Sequence, residues 1–225
     1  MRNLYFVIAF LVVLVVHIAG IYIGDDSIEL FTKPLLVVLL IGYFFWSTKS
    51  VSSGLKIWMA GALILSLTGD VLLMFVSSNA AFFLAGLAAF LTAHLFYIFF
   101  FHAIRIHEKI KGKLFLLLLV FIYYVGLMSI LTPWLGSYKL PVRIYSVVIC
   151  FMLMLSMHML YIKNKKAGWK MFAGALLFVI SDSVLAVNKF YISFIEADII
   201  IMFTYGIAQL LIVQGAIEYI LSDNK

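Results

Sequence analysis

The chain has 225 residues, of which 66% are hydrophobic and 12% are charged. A soluble domain cannot bury so large an apolar fraction, so the composition predicts an integral membrane protein and excludes a soluble globular enzyme. The net charge of +6 would suggest a nucleic-acid partner in a soluble protein. Here the basic residues cluster at the ends of predicted membrane helices, and we expect no nucleic-acid partner.

Apolar segments recur along the whole chain, and about 20 residues are needed to cross the hydrocarbon core of a bilayer. In chain order the predicted spans are 3–23, 29–47, 56–77, 80–104, 113–132, 141–161, 169–188 and 195–221. The first apolar run lacks a clear cleavage site, which favours a retained helix over a signal peptide. The loops are short, so the prediction is an all-α, polytopic helix bundle, with residues 1–225 forming a single integral-membrane domain.

The distribution of basic residues predicts the orientation of this bundle. Twelve of the sixteen Lys and Arg residues fall on the side of the membrane that carries both termini. Basic residues in short loops favour the cytoplasm, so both termini are predicted to be cytoplasmic in a multi-pass cell-membrane protein. All four tryptophans lie at the ends of predicted helices, as interfacial anchors do.

Two aspartates lie inside predicted spans: Asp70 in GALILSLTGDVLLMF and Asp182 in GALLFVISDSVLAV. A carboxylate in the centre of a membrane helix costs about 3 kcal/mol on insertion scales, so such residues are usually functional. The two spans run in the same direction, and each aspartate lies about 10 Å from the outer end of its helix. We therefore predict one shared cavity in the outer half of the bundle. The resemblance between the two segments also suggests two four-helix halves related as parallel repeats.

Further polar residues of the spans are candidates for supporting this pair. They are Ser66, His94, Tyr97, Ser181, Asn188, Tyr205 and Gln209. Counted from the outer helix ends by the rise per residue, His94 and Gln209 lie about 20 Å deep. They are therefore predicted to form a second polar layer beneath the carboxyl groups. For the serines and Gln209 the alternative is a hydrogen bond between helices, and a lone histidine is more often structural.

Lys33 and Pro34 are predicted to open the second span at the outer surface, with Pro34 in the first helical turn. A lysine at that position also has a simple alternative, in which it snorkels to the membrane surface.

Several chemistries lack support. The chain has no HExxH, GxSxG, P-loop or GxGxxG motif, which argues against zincin, serine-hydrolase and nucleotide-binding functions. The five histidines do not form a spaced zinc set, although one histidine with two aspartates leaves a metal site open. We expect no metal and no cofactor. The single Cys150 excludes a disulfide within the chain, and the sequence carries no signal for the oligomeric state.

Six segments together resemble one known family. They are TKPLL at 32–36, SLTGDVLLM at 66–74, GLAAFLTAHLFYIFFF at 86–101, PVRIY at 141–145, GALLFVISDSVLAVNKF at 174–190 and YGIAQLLI at 205–212. The order of these segments and the residues in them resemble those of YhhN-type lysoplasmalogenases over about residues 30–215. Tyr145, at the end of PVRIY, joins the supporting group, with simple packing as its alternative.

The resemblance implies a hydrolase that cleaves the vinyl-ether bond of lysoplasmalogens. The products are a fatty aldehyde and glycerophosphocholine or glycerophosphoethanolamine, and the family's two essential aspartates correspond to Asp70 and Asp182. The chemistry suits such a pair, because vinyl-ether cleavage needs an acid, a carboxylate that stabilises an oxocarbenium ion, and a water. Two close, buried carboxyls favour one shared proton. Lys33 and Arg143 are predicted to bind the phosphate of the lysophospholipid substrate.

Two other functions remain open at this point: a proton-coupled transporter of a small molecule or lipid, and a lipid-binding scaffold without catalysis. Intramembrane acids and internal repeats also suit a transporter. However, the three prolines, at 34, 133 and 141, all lie near predicted helix ends. The sequence therefore predicts no broken helix, which favours the hydrolase.

Overall fold

Eight α-helices form the protein in the computed structural model, which describes residues 2–223 and their side chains from Leu4 onward. They are α1 Arg2–Ile23, α2 Asp26–Thr48, α3 Leu55–Met74, α4 Ala81–His107, α5 Leu114–Leu131, α6 Lys139–His158, α7 Lys165–Phe190 and α8 Ala197–Asp223. Each lies in a segment long and apolar enough to cross a membrane, which confirms the predicted all-α bundle. The side chains of Arg2 and Lys225, counted in the charge distribution above, lie outside the described part.

Helix α2 begins earlier than the sequence analysis predicted. Its N-cap is Asp25, whose side chain accepts hydrogen bonds from the backbone N–H groups of Ser27 at 2.9 Å and Ile28 at 3.3 Å. This cap and the acidic residues of the first turn stabilise a helix start before the apolar run begins. The predicted place of Pro34 in the first turn is therefore wrong, since Pro34 lies inside the unbroken helix. Its missing N–H leaves the carbonyl of Leu30 without a helical donor.

Glycines allow two helix pairs, α3–α4 and α7–α8, to pack closely. A Cβ atom on Gly174 of α7 would lie 2.7 Å from the carbonyl oxygen of Ala208 on α8. A Cβ atom on Gly69 of α3 would lie 2.6 Å from the ring of Phe90 on α4. At Gly174 the neighbour is backbone, so only glycine fits there, whereas a side chain at position 69 would have to displace the Phe90 ring. The close approach matters for the site because Gly69 directly precedes Asp70.

Some of the helix contacts recur at a spacing of four helices, which favours the predicted two four-helix halves. The α3–α4 pair in the first half corresponds to α7–α8 in the second, and the contact of α4 with α6 corresponds to that of α8 with α2. The Tyr97 hydroxyl donates a hydrogen bond to Gln209, 112 residues further along the chain. Asp70 and Asp182 are separated by the same 112 residues.

Candidate active site

A cavity of about 850 Å³ lies at the end of the bundle where α1 finishes and α8 begins, opposite the described ends of the chain. All eight helices contribute to its wall. Asp70 and Asp182 both line it, so the predicted shared cavity is present. It is the end that the charge distribution predicts to be the outer one.

Asp70 lies near the end of α3 and is almost fully buried, with 2% of the residue exposed. The Tyr205 hydroxyl of α8 donates a hydrogen bond to its Oδ2 at 2.7 Å. Gln209 donates from Nε2 to the Tyr205 hydroxyl oxygen at 3.3 Å, and the Tyr97 hydroxyl donates to Gln209 Oε1 at 2.6 Å. Ser66 lies beside Tyr97. Asp70, Tyr205, Gln209 and Tyr97 form a hydrogen-bonded chain that runs from the carboxyl group into the bundle core.

Asp182 lies on α7 and keeps 17% of its side chain accessible. The Tyr145 hydroxyl of α6 donates a hydrogen bond to its Oδ2. His94 Nε2 lies 4.0 Å from the same oxygen, which is too far for a hydrogen bond. The His94 ring is fully buried and packs edge-on against Tyr145 and Phe178, with centroids 5.3 and 4.8 Å apart. Tyr145 therefore orients Asp182, and His94 lies next to this carboxyl group, so its predicted place in a deeper layer is wrong.

The two carboxyl groups lie close enough to interact electrostatically. Lys33 also lines the cavity, and it lies close enough for its charge to act on Asp70. Each carboxyl uses Oδ2 for its tyrosine, and among the described hydrogen bonds neither Oδ1 has a partner. Within residues 2–223, no three His, Cys, Asp or Glu side chains are grouped as a metal site would require.

Two of the other predicted residues line the cavity while holding α7 and α8 together. The Ser181 hydroxyl donates to the carbonyl oxygen of Ile201 on α8 at 3.0 Å. Asn188 Oδ1 accepts from the backbone N–H of Phe194 at 3.2 Å, in the connection between α7 and α8. Ser181 thus makes the interhelical hydrogen bond that was its alternative interpretation.

Arg143 does not join Lys33, so the prediction that both bind one phosphate is wrong. Arg143 lines a separate groove of about 430 Å³ beside α5, together with Tyr124 and Ser129. The reason is helical phase: Val142, Tyr145, Ser146 and Ile149 of α6 line the main cavity, and that periodicity turns position 143 away. The second basic residue of the main cavity is Lys189.

Sequence reasoning missed several cavity residues. Tyr123 of α5 and Ser183 of α7 share a hydrogen bond between their hydroxyl groups, and both line the cavity. Ser183 follows Asp182 directly, which was an available signal, whereas Tyr123 sits in a helix that is apolar on every side. His17 of α1 and the acidic residues at the mouth were also missed. These acidic residues are Asp26, Glu29 and Asp198.

Comparison with known proteins gives one family and several named relatives. The model of the YhhN family matches residues 28–216. Human lysoplasmalogenase TMEM86B is 34% identical over 88% of this chain and 80% of the relative. Human lysoplasmalogenase TMEM86A is 30% identical over 69% of this chain and 63% of the relative. The lysoplasmalogenase of Mycobacterium tuberculosis is 30% identical over 70% and 59%. No solved structure matches the chain.

Proposed function

The chain belongs to the YhhN family, and we propose that it is a membrane hydrolase that cleaves the vinyl-ether bond of lysoplasmalogens. The products are a fatty aldehyde and a glycerophospho-alcohol. The name lysoplasmalogenase, shared by the similar human and mycobacterial proteins, supports this activity. The observation that carries the proposed mechanism is the pair of carboxyl groups, from α3 and α7, in one cavity that all eight helices line.

The cavity suits a lysolipid in size and in polarity. Its volume of about 850 Å³ falls within the range of small-molecule sites. Leu73, Leu87 and Phe190 give it apolar walls for an alkenyl chain, whereas Lys33 and Lys189 supply positive charge for a phosphate. A lysolipid combines these two features, because one apolar chain and one phosphate are joined through glycerol.

In the first step, a protonated carboxyl transfers its proton to the β-carbon of the vinyl ether. The ether oxygen and the α-carbon then share the positive charge of an oxocarbenium ion, which the second carboxylate stabilises. We assign the proton donor to Asp182, because its side chain keeps accessible surface. Asp70 is assigned the role of the carboxylate, because the cation Lys33 lines the same cavity and can balance its charge.

In the second step, water adds to the α-carbon and gives its proton to the Asp182 carboxylate, which forms a hemiacetal. Collapse of the hemiacetal transfers this proton to the departing glycerol oxygen, while Asp70 takes the proton of the hemiacetal hydroxyl. The aldehyde is released, and the pair again holds one proton. Because the pair shares that proton, its titration belongs to both residues together.

The tyrosines keep the carboxyl groups in position for these transfers. Tyr145 and Tyr205 each bind an Oδ2 atom, so the Oδ1 atoms remain available to substrate and water. Gln209 donates a hydrogen bond to Tyr205 and accepts one from Tyr97, so these two residues hold Tyr205 in position. His94 fills the space behind Asp182 and Tyr145.

We further propose that both termini face the cytoplasm, because twelve of the sixteen basic residues fall on their side of the bundle. The cavity lies at the opposite end, so it would receive its substrate from the outer leaflet.

The proposed activity is tested with three lysophospholipids that share one head group and carry a 1-alkenyl, a 1-alkyl or a 1-acyl chain. Purified protein is expected to release aldehyde and glycerophospho-alcohol from the alkenyl lipid only. Fatty-acid release from the acyl lipid would contradict the vinyl-ether chemistry. Transport of these lipids across proteoliposomes without any turnover would support the transporter instead.

A further inference from the structure

His17 is a buried histidine in the cavity wall that the mechanism above does not use. It belongs to α1, which lies before the matched residues 28–216 of the family. Its exposed fraction is 0%, and it is among the residues that line the same cavity as Asp70 and Asp182. Lys33, the proposed phosphate ligand, is close enough for its charge to act on the ring. His17 therefore lies in the part of the cavity wall that also carries Lys33.

A hydrogen bond fixes which nitrogen of His17 carries the proton. Nδ1 lies 2.7 Å from the Thr32 hydroxyl oxygen on α2. The Thr32 hydroxyl donates its only hydrogen to the carbonyl oxygen of Ile28 at 2.6 Å, and a carbonyl can only accept. The Thr32 oxygen must therefore accept from Nδ1–H of His17. This tautomer leaves Nε2 as an unprotonated acceptor.

Nε2 has no hydrogen-bond partner among the described residues, although it is buried. A buried acceptor without a donor is costly, and such groups usually belong to a binding or catalytic site or bind water. An acceptor needs an O–H or N–H donor from its ligand. In a lysoplasmalogen with a choline head group, the phosphate and the vinyl ether have no such hydrogen. Its one donor is the free hydroxyl on the central glycerol carbon.

We propose that Nε2 of His17 accepts a hydrogen bond from this free hydroxyl, so that α1 recognises the absence of a second chain on the lipid. His17 is then a specificity-determining residue, and this inference rests on the proposed function. A lipid with an acyl chain on the central carbon has no hydrogen to offer, so Nε2 would stay unpaired when it binds. The same holds for a lipid without oxygen on that carbon.

The test measures binding first, because binding does not depend on turnover. The full chain in nanodiscs is titrated with a 1-alkyl lysophosphocholine, which lacks the cleavable double bond, and with its analogue that lacks the central hydroxyl. Wild-type protein is expected to bind the hydroxyl ligand about tenfold to a hundredfold more tightly, as for other analogues that leave a buried polar group unpaired. Equal binding of the two ligands by wild type overturns the proposal without any variant.

Variants then assign the preference to His17. In His17→Phe the ratio of the two dissociation constants is expected to fall towards one. His17→Gln should restore part of the ratio, because its amide oxygen can accept near the position of Nε2. An exposed histidine of α4 gives the matched control, and His102→Phe should keep the wild-type ratio. An unchanged ratio in folded His17→Phe contradicts the proposal. If His17→Phe does not fold, Thr32→Val is measured instead. It removes the hydroxyl that keeps the proton of His17 on Nδ1, so it should lower the ratio of the two dissociation constants.

Turnover separates this inference from the proposed function. With alkenyl substrates that have or lack the central hydroxyl, His17→Phe should lower kcat/KM only for the hydroxyl substrate. An equal loss on both substrates would show that His17 acts on the attacking water or on the fold, and would overturn the inference while the hydrolase stands. Absence of aldehyde from every substrate would overturn the hydrolase, whereas the binding ratio would still decide the role of His17.

Discussion

Asparagine substitutions can remove each proposed acid while keeping its hydrogen bond. In Asp182→Asn, an amide oxygen remains to accept from the Tyr145 hydroxyl. In Asp70→Asn, an amide oxygen remains to accept from Tyr205, whose distance to the carboxyl is 2.7 Å. Size and orientation are largely kept in both variants. The loss of activity then reports on proton transfer and on the carboxylate charge, not on the position of the side chain.

The expected loss is about 10²- to 10⁴-fold in kcat for either single variant, which is the usual size of general acid–base catalysis. The double variant should be little worse than either single one, because residues that act as a unit give non-additive losses. Tyr145→Phe should lose less than either aspartate variant. It removes one donor to a carboxyl that itself remains, and about 1–3 kcal/mol is typical for such a loss.

Aldehyde release can be followed with an aldehyde dehydrogenase that reduces NAD, on protein whose thermal unfolding temperature has been measured first. Asp223→Asn, at the opposite end of the bundle, is the matched control and should keep wild-type turnover. Near-wild-type aldehyde release by folded Asp70→Asn or Asp182→Asn would falsify the paired mechanism. Activity lost on chelation and restored by zinc would instead assign the two aspartates to a metal.

Three further predictions test substrate binding, packing and orientation. Lys33→Gln should raise KM, because Lys33 binds the phosphate, and should also lower kcat, because its charge acts on Asp70; the exposed control Lys139→Gln should change neither, and an unchanged KM would contradict phosphate binding by Lys33. Gly174→Ala should destabilise the protein by about 1–3 kcal/mol, since the added methyl meets backbone atoms of α8 at 2.7 and 2.9 Å. In thermal unfolding, Gly126→Ala is its control, because nothing lies within 4 Å of that methyl position. A reporter fused to the C-terminus should be cytoplasmic, and a tag there that is accessible from outside intact cells contradicts the proposed orientation.

The eight helices and the place of the two aspartates were predictable because both signals are strong in a single sequence. The lengths of the apolar runs determine the spans. An aspartate within such a run is conspicuous, because placing a carboxylate inside the membrane costs free energy. The rise per residue of an α-helix then places Asp70 and Asp182 at a similar depth in the membrane. The start of α2 was not predicted, because a polar cap at Asp25 begins the helix outside the apolar run.

The partners of the carboxyl groups were harder to predict, because they depend on how each helix is rotated about its axis. Arg143 and Tyr145 are two residues apart, yet only the tyrosine faces the aspartates. Helix α5 is apolar on every side, so its sequence does not show that Tyr123 faces the cavity. A hydrogen bond between side chains on different helices needs the packing itself, which pattern and composition do not contain.

The two carboxyl groups differ in their surroundings, as the proposed chemistry requires. Lys33 of α2 and Tyr145 of α6 are 112 residues apart, the same separation as between Asp70 and Asp182. Each carboxyl accepts a hydrogen bond from one tyrosine, Asp70 from Tyr205 and Asp182 from Tyr145, and the charge of Lys33 additionally acts on Asp70. A symmetric site would give two carboxyls with the same environment and no reason to divide the roles of acid and carboxylate. The charge of Lys33 on Asp70 supplies that reason, on the principle that different environments separate the roles of two acids.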